Sequence, residues 1–309
     1  MPHVTSLNST SLAHFSAQLA DTGVALRVGP FVVSLTSSIT SVAEGIYQLY
    51  GEYPLVAEGA ERFVDYYLSL VPGRGVRRWY HPQVNFVYDG LQPFKPLPLN
   101  QALPLFEWGL NWCVASQMHS YLLIHAAVVE RNGVAIILPA PPGSGKSTLC
   151  AGLVSRGWRL FSDELAIISM ADGRVVPCPR PIGLKNESIQ IMRDYEPQAV
   201  ISRESHDTRK GTVALMKAPS ESIRRADEAA RVGGVIFPRY QAGAEALMTG
   251  RSKAQTGLYL ADNSFNYSVT GARGFQLLAD LVDGAECLEF TYSQLDDAVR
   301  IFDGLEWLQ

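Results

Sequence analysis

The stretch Leu138-Pro-Ala-Pro-Pro-Gly-Ser-Gly-Lys-Ser-Thr-Leu149 decides the fold class of the chain. It follows an apolar run, Val134 to Leu138, which predicts a buried strand. It leads into an apolar stretch, Ser147 to Val154, which predicts a helix. A strand, a glycine-rich turn, Lys-Ser and a helix in this order are typical of a phosphate-binding loop. The sequence therefore predicts an α/β domain built around such a loop.

The backbone of this loop is suited to enclosing a phosphate group. Gly143 and Gly145 allow the chain to turn tightly and to approach an anion closely. The N–H groups from Ser144 to Thr148 are expected to point at phosphate oxygens from a helix N-terminus, where the helix dipole also favours negative charge. Ala140 stands where the usual pattern has its first glycine, a small change that is expected to keep the site. A chance Gly-Ser-Gly-Lys turn is the alternative, which the strand-to-helix context disfavours.

Charged and hydroxyl side chains at and after the loop complete the predicted site. Lys146 is expected to reach the β- and γ-phosphates of ATP, and Ser147 is expected to bind Mg²⁺. The acidic pair Asp163-Glu164 follows about 17 residues later, between two short apolar runs. One carboxylate can accept the proton of an attacking hydroxyl group while the other holds the metal. A solvated turn between two strands is the alternative for this pair.

Composition excludes several classes of protein. Of the 309 residues, 47% are hydrophobic and 18% are charged, as in globular proteins. A formal net charge of −4 gives no electrostatic reason to expect nucleic acid as a partner. The four scattered cysteines have no metal-like spacing and indicate free thiols in a reducing compartment. Met1 to Ala20 lacks the pattern of a signal peptide, and no apolar run reaches membrane-spanning length, so we predict a cytoplasmic protein without membrane contact.

The chain is predicted to form an α+β domain over residues 1–98 and a loop-bearing domain over residues 99–309. In the first domain we expect a hairpin that turns at Gly29-Pro30 and a helix from Ser38 to Tyr50. The segment Leu91 to Leu99 has three prolines and is read as a linker. Substrate recruitment is the role considered for this first domain.

Other stretches carry predictions of their own. Tyr121 to Glu130 should be a strand that pairs as a hairpin with the strand before the loop, because Asn132-Gly133 is a tight-turn signal. Ile201 to Thr212 is strongly polar and predicts a mobile surface loop. Val232 to Tyr240 predicts a strand that brings Arg239 toward the site as a charge-stabilising residue. The basic and aromatic run Arg74 to His81 predicts a strand with one solvated face, with peptide binding as the alternative.

The order of three motifs resembles HPr kinase/phosphorylase. These are Ile124-His-Ala126, Pro142-Gly-Ser-Gly-Lys-Ser147 and Arg156-Gly-Trp-Arg-Leu-Phe-Ser-Asp-Glu164. The chain is more similar still to the HPr-kinase-related group, HprK-related kinase A and the peptide-tailoring kinases. The resemblance covers roughly residues 120–300. It implies an α/β P-loop kinase domain of the HPr kinase/PEP carboxykinase type, preceded here by the small α+β domain.

The resemblance implies a role for each matching residue. Asp163 takes the place of the catalytic aspartate that activates the substrate serine, and Glu164 takes that of a second acidic residue near the metal. His125 matches a histidine that contacts the catalytic aspartate or the γ-phosphate region; alone, it reads as a core histidine. Pro181 to Glu187 falls where the family has a Leu-Glu-Ile-Arg-Gly motif, so Lys185 is a candidate phosphate-binding cation. The predicted cofactor contacts are therefore Pro142, Gly143, Ser144, Gly145, Lys146, Ser147, Thr148, Lys185 and Arg239.

These observations predict an ATP- and Mg²⁺-dependent kinase that phosphorylates a Ser or Thr hydroxyl on a small protein or a ribosomal peptide. Thr148 and Trp158 depart from the family pattern, and the first domain does not match its N-terminal domain, so HPr is not the expected substrate. The resemblance implies a PqqD-like peptide-recognition protein as a partner, and a homo-oligomer stays open. The alternatives are an ATPase or nucleotide switch without covalent transfer, and a small-molecule kinase.

Overall fold

A computed structural model describes residues 6–56 and 63–308 of the chain, which has a mixed α/β fold. Two predictions concern stretches that extend outside the described residues. They are the absence of a signal peptide and the formation of one domain by residues 1–98. The helices are α1 (Leu12–Ala20), α2 (Thr40–Tyr50), α3 (Ala102–Gln117), α4 (Lys146–Ser155), α5 (Glu187–Tyr195), α6 (Ser220–Arg224), α7 (Lys253–Asp262), α8 (Tyr267–Asp283) and α9 (Leu295–Asp303). Gly271 has non-helical backbone angles and divides α8 into two helical parts.

The strands of the described residues form three sheets. They are β1 (Val24–Val28), β2 (Phe31–Ser37), β3 (Tyr66–Pro72), β4 (Gln83–Tyr88), β5 (Leu97–Pro98), β6 (Tyr121–Arg131), β7 (Val134–Pro139), β8 (Arg159–Ser162), β9 (Leu165–Ser169), β10 (Val175–Val176), β11 (Ile182–Lys185), β12 (Ser205–Thr208), β13 (Gly211–Met216), β14 (Arg231–Tyr240), β15 (Leu247–Gly250) and β16 (Glu286–Tyr292). None of the helices described here is long and apolar enough to cross a membrane.

The chain divides into two compact units, and the division is not a single cut. The first unit comprises Met1–Val114, Gly183–Gln190 and Gln198–Lys217, and the second comprises Ala115–Ile182, Ile191–Pro197 and Ala218–Gln309. The sequence-based boundary at residue 98 differs from this division. Hydrogen bonds explain part of the difference, because Gln101 Nε2 donates to the carbonyl of His206 and Ser205 Oγ donates to the carbonyl of Asn100. These bonds hold β12 within the first unit.

The first unit contains a five-stranded sheet in the order β1-β2-β3-β4-β5. The predicted hairpin is confirmed, since β1 and β2 pair antiparallel from Val24–Leu35 to Val28–Phe31. The predicted loop from Ile201 to Thr212 is wrong, because β12 and the start of β13 pair there as an antiparallel hairpin. The predicted strand from Arg74 to His81 is also wrong, because Gly75–Arg78 forms a 3₁₀ turn whose residues are exposed.

The second unit is organised by an eight-stranded sheet in the order β10-β9-β6-β7-β14-β16-β15, with β8 paired to β6. β7, β14 and β16 run parallel to one another, whereas β6 runs antiparallel to β7 as the Asn132-Gly133 turn predicts. All six residues of β7 are buried, which is typical of a strand covered on both faces. Burying each large aliphatic side chain of this kind stabilises the fold by about 1.5–3 kcal/mol.

Candidate functional site

The loop after β7 has the backbone conformation that its glycines allow. Gly143 and Gly145 both have φ of +86°, and α4 begins directly after Gly145. A Cβ atom on Gly143 would meet nothing within 4 Å, whereas one on Gly145 would lie 2.5 Å from the Tyr292 hydroxyl oxygen and 2.9 Å from Tyr240 Cβ. Gly143 thus faces open space, and Gly145 is required because the loop lies close to two tyrosines.

Two tyrosines at the ends of parallel strands hold the carbonyl groups of the loop. The N–H of Tyr240 donates to the carbonyl oxygen of Ser144 at 2.8 Å, and the hydroxyl of Tyr292 donates to that of Gly145 at 2.9 Å. In a planar trans peptide the C=O and the following N–H point in opposite directions. The N–H groups of Gly145 and Lys146 therefore point away from these tyrosines. The first N–H groups of α4 also lack intrahelical acceptors, as at any helix start, so the loop can accommodate an anion.

The side of α4 that carries Lys146 also faces an acidic group. Lys146 and Cys150 are four residues apart and therefore lie on the same side of the helix. Burial raises the pKa of the Cys150 thiol well above its usual value; the charge of Asp163 raises it further and that of Lys146 lowers it. The carboxylate of Asp163 and the ammonium group of Lys146 therefore both lie close enough to the Cys150 thiol to affect its pKa.

A serine fixes the turn that carries the acidic pair. Asp163 and Glu164 lie between β8 and β9, as the sequence predicts, and the N–H groups of Glu164 and Leu165 donate to Ser162 Oγ at 3.3 and 3.0 Å. Asp163 is buried, with 4% of its surface exposed. Glu164 keeps 25% of its side chain exposed. The carboxylate of Glu164 is therefore more accessible from solvent than that of Asp163.

His125 contacts the acidic turn through the side chain of Glu164. Its Nε2 lies 3.2 Å from Glu164 Oε2, and the two side chains are 34% and 25% exposed. The ring of Phe265 is 6.0 Å from that of His125, centroid to centroid. Phe265 is held there because its N–H donates to the carbonyl of Leu123. A half-exposed aromatic ring thus lines the approach to the His125–Glu164 pair.

The register of the sheet brings the loop and the acidic turn to one edge. Pro139, the last residue of β7, is opposite Ala126 on β6, and the neighbouring His125 is opposite Leu165 on β9. The entrance of the loop and the start of β9 are therefore two strand spacings apart, about 10 Å. β14 and β16 end at the same edge, which is where ligands bind in open α/β sheets.

The Arg-Gly-Trp-Arg-Leu run before the acidic turn makes structural contacts. Arg159 is buried against Glu130 and donates to the carbonyl groups of Arg225 and Glu228 at 2.9 and 3.0 Å. The indole N–H of Trp158 donates to Asp303 at 2.9 Å. These contacts fix β8 in the sheet, so this part of the motif positions the turn.

The two predicted phosphate-binding cations belong to different units. Arg239 is exposed near the end of β14, next to Tyr240, whose N–H binds the loop. Lys185 belongs to the first unit, where Ser188 Oγ accepts from its backbone N–H at 2.6 Å, and its phosphate-binding role stays a prediction. Tyr240, Tyr292 and Phe265 are contacts that sequence reasoning missed, since an aromatic residue at a strand end or in a loop has no local signal.

The residues at this edge fit a nucleotide with magnesium. Ser144 Oγ, in the loop, is buried without a hydrogen-bond partner among the described residues, so this hydroxyl can still donate to a bound oxygen. Within residues 6–56 and 63–308, no group of three or more His, Cys, Asp or Glu side chains is arranged to hold a metal. Mg²⁺ is usually bound by one or two carboxylates together with phosphate oxygens and water. Ser147, Asp163 and Glu164 supply oxygen donors of that kind.

Comparison with known proteins adds one distant likeness. The sequence matches no protein-family model and no curated protein. Among solved structures, it is similar to the HPr(Ser) kinase/phosphatase from Coxiella burnetii, at 11% identity, covering 60% of this chain and 97% of that chain, with a TM-score of 0.28. A likeness this distant assigns no chemistry to the loop or to the acidic turn.

Proposed function

We propose that the protein is an ATP- and Mg²⁺-dependent kinase that transfers a phosphoryl group to a Ser or Thr hydroxyl of a small protein or peptide. The observation that carries the proposal is the convergence of the loop, the acidic turn and His125 at the carboxyl edge of the parallel strands. A loop alone supports nucleotide binding. A partly exposed carboxylate–histidine pair beside it supports proton transfer from an acceptor.

The loop would bind the nucleotide. The N–H groups at the start of α4 would donate to phosphate oxygens, and the Lys146 ammonium would add a positive charge near the transferring phosphoryl group. Arg239, exposed near the end of β14, is proposed as a second cation. Mg²⁺, held by Ser147 and a carboxylate of the turn, would neutralise the charge of the phosphates.

The acidic pair would divide two tasks. In the sequence-based assignment Asp163 is the base and Glu164 the metal ligand. The exposures favour the exchange of these roles, because Glu164 is accessible and contacts His125, whereas Asp163 is buried beside α4. In the proposed reaction the acceptor O–H loses its proton to Glu164, its oxygen bonds to the γ-phosphorus, and the bond to the ADP oxygen breaks.

The acceptor would approach past Phe265. Its ring is half exposed and lies beside His125, so an apolar residue next to the Ser or Thr of the acceptor would pack there. A flexible peptide or an exposed protein loop can present such a neighbour together with the hydroxyl group. This is the feature that favours a polypeptide acceptor over a small polar metabolite.

The test measures nucleotide binding and transfer separately. The full chain is incubated with γ-labelled ATP, Mg²⁺ and a degenerate library of Ser- and Thr-containing peptides, and phosphate is followed into peptide and into free phosphate. Glu164→Gln and Asp163→Asn are compared with Glu221→Gln, a matched control because Glu221 is exposed on α6. A fluorescent ATP analogue reports binding in each variant.

We expect labelled peptide from the wild type. Glu164→Gln lacks the proposed base, so its rate of transfer should fall at least about a hundredfold, as is typical of general bases. That variant should still bind the ATP analogue, and the Glu221 variant should match the wild type. Release of free phosphate without labelled peptide would instead support the ATPase or switch. Undiminished transfer in both acid variants would refute the assignment of the turn.

A further inference from the structure

The second unit has a cavity of about 630 Å³ at the end of the sheet opposite to the loop. Its walls are the turn between β9 and β10, the start of β14 and the second half of α8. Arg231, the first residue of β14, lines the cavity, whereas Tyr240, the last, contacts the loop. Ten residues of strand span about 30 Å. The cavity is therefore separate from the proposed nucleotide site.

The charged groups of this cavity leave positive charge unbalanced. Three arginines line it, Arg174, Arg231 and Arg273, against the carboxylates of Asp172 and Asp280. Asp172 accepts from the backbone N–H of Arg174 and lies 3.8 Å from its Nε. Asp280 accepts from the side-chain amide of Gln276 at 2.8 Å. Both carboxylates are thus already engaged within their own segments.

Two of the three guanidinium groups remain available for a ligand. Arg273 donates to the carbonyl of Met170 at 2.7 Å, which leaves its other N–H groups. The guanidinium group of Arg231 has no hydrogen-bond or ion-pair partner within residues 6–56 and 63–308, although it lines the cavity. Guanidinium groups bind phosphate and carboxylate in a two-pronged geometry, so this pair suits an anion.

The floor of the cavity is apolar. Val232 and Leu277 are partly buried against the core cluster of the sheet, and Leu281 is buried within it. Sites for small organic ligands combine such an apolar wall with a few convergent polar groups, in volumes of roughly 300–1,000 Å³. A ligand that fits would have an apolar ring or chain on this floor and an anionic group facing the arginines.

The geometry points to a second binding site, formed by β9–β10, β14 and α8, for a small organic anion that joins an apolar ring to a phosphate or carboxylate group. This site lies beyond the proposed kinase reaction, which uses none of its residues. Its two recognition elements are the Arg231–Arg273 pair and the floor formed by Val232, Leu277 and Leu281.

The test is isothermal titration of the full chain with phenyl phosphate, with benzoate and inorganic phosphate as further probes. Arg231→Gln and Arg273→Gln should each weaken the binding of phenyl phosphate about tenfold, because each variant loses one charge-assisted hydrogen bond to the ligand. Arg224→Gln is the matched control, since Arg224 is an exposed arginine of α6 outside the cavity. Leu277→Trp should also weaken binding, because it fills the cavity while keeping every charge.

Each outcome decides the proposal. Lys146→Met should leave the titration unchanged, and loss of binding in that variant alone would move the phenyl phosphate to the loop. Failure of the wild type to bind phenyl phosphate or benzoate at millimolar concentration would overturn the site. Inorganic phosphate that binds as tightly as phenyl phosphate would overturn the role of the apolar floor. Circular dichroism of each variant confirms that a loss of binding does not reflect unfolding.

Discussion

Replacement of Gly145 by Ala should destabilise the loop and α4 more than the same change at Gly143. Both glycines have φ of +86°, so each alanine adds the cost of a left-handed residue, about 1–2 kcal/mol. Only at Gly145 would the new Cβ also lie 2.5 Å from the Tyr292 hydroxyl oxygen and 2.9 Å from Tyr240 Cβ. Relief of that overlap separates the Tyr292 hydroxyl from the Gly145 carbonyl.

The expected loss of stability is the sum of two costs, that of a left-handed alanine and that of the broken hydrogen bond between Tyr292 and Gly145. A buried hydroxyl left without its partner costs about 1–3 kcal/mol. We therefore expect a total loss of roughly 2–5 kcal/mol for Gly145→Ala and about 1–2 kcal/mol for Gly143→Ala. Tyr292→Phe removes the oxygen that clashes. Combined with Gly145→Ala it should cost less than the sum of the two single changes, by about 1 kcal/mol or more.

The assay is hydrogen exchange of the α4 amides, followed by mass spectrometry in the absence of nucleotide. This measurement reports the stability of the second unit locally, so it does not require the two units to unfold together. Equal costs for the two alanine variants would refute the packing argument. Strictly additive effects of Gly145→Ala and Tyr292→Phe would show that the tyrosine does not hold the loop.

Three further predictions concern the second unit. Arg159→Met leaves the Glu130 carboxylate buried without its cation, so the free energy of unfolding measured in urea should fall by about 3–5 kcal/mol. Arg224→Met, at an exposed position, should change that free energy little. Burial raises the pKa of Tyr292, so the native state keeps a proton that an unfolded tyrosine releases near pH 10. The free energy of unfolding should therefore fall as the pH rises above about 10. It should fall less steeply in Tyr292→Phe, which has no hydroxyl to titrate. Burial also raises the pKa of the Cys150 thiol, so iodoacetamide should label it only after denaturation, and rapid labelling of the native protein in a mass spectrum would contradict its burial.

Local signals account for what could be predicted from the sequence about the elements near the loop. The apolar run before Gly143 and the helix after Gly145 depend on neighbouring residues, and the Asn132-Gly133 turn specifies a hairpin by its own backbone preferences. The acidic pair was correctly expected between two strands, because two apolar runs flank it. Such features need no knowledge of distant segments.

One error occurs where distant contacts override local composition, and another where the chain forms a local turn in place of a strand. Ile201 to Thr212 is polar enough to predict a loop, yet β12 and β13 pair there, and Gln101 and Ser205 add hydrogen bonds across more than a hundred residues of sequence. Arg74 to His81 has the aromatic content of a strand but forms a 3₁₀ turn. In the first case backbone hydrogen bonding was decided by a partner that the local pattern does not identify. In the second case the turn is closed by local bonds, since the N–H groups of Trp79 and Tyr80 both donate to the carbonyl of Val76.

The chemistry-bearing residues themselves were recognisable from residue type and spacing, because a phosphate-binding turn is a local structure with strict backbone requirements. Their grouping was a tertiary result. Strand register alone puts His125 opposite Leu165 and so beside Glu164, and it brings Tyr240 and Tyr292 from separate parallel strands onto one loop. The register between strands that are distant in sequence depends on side-chain packing across the sheet, so no short stretch of sequence specifies it.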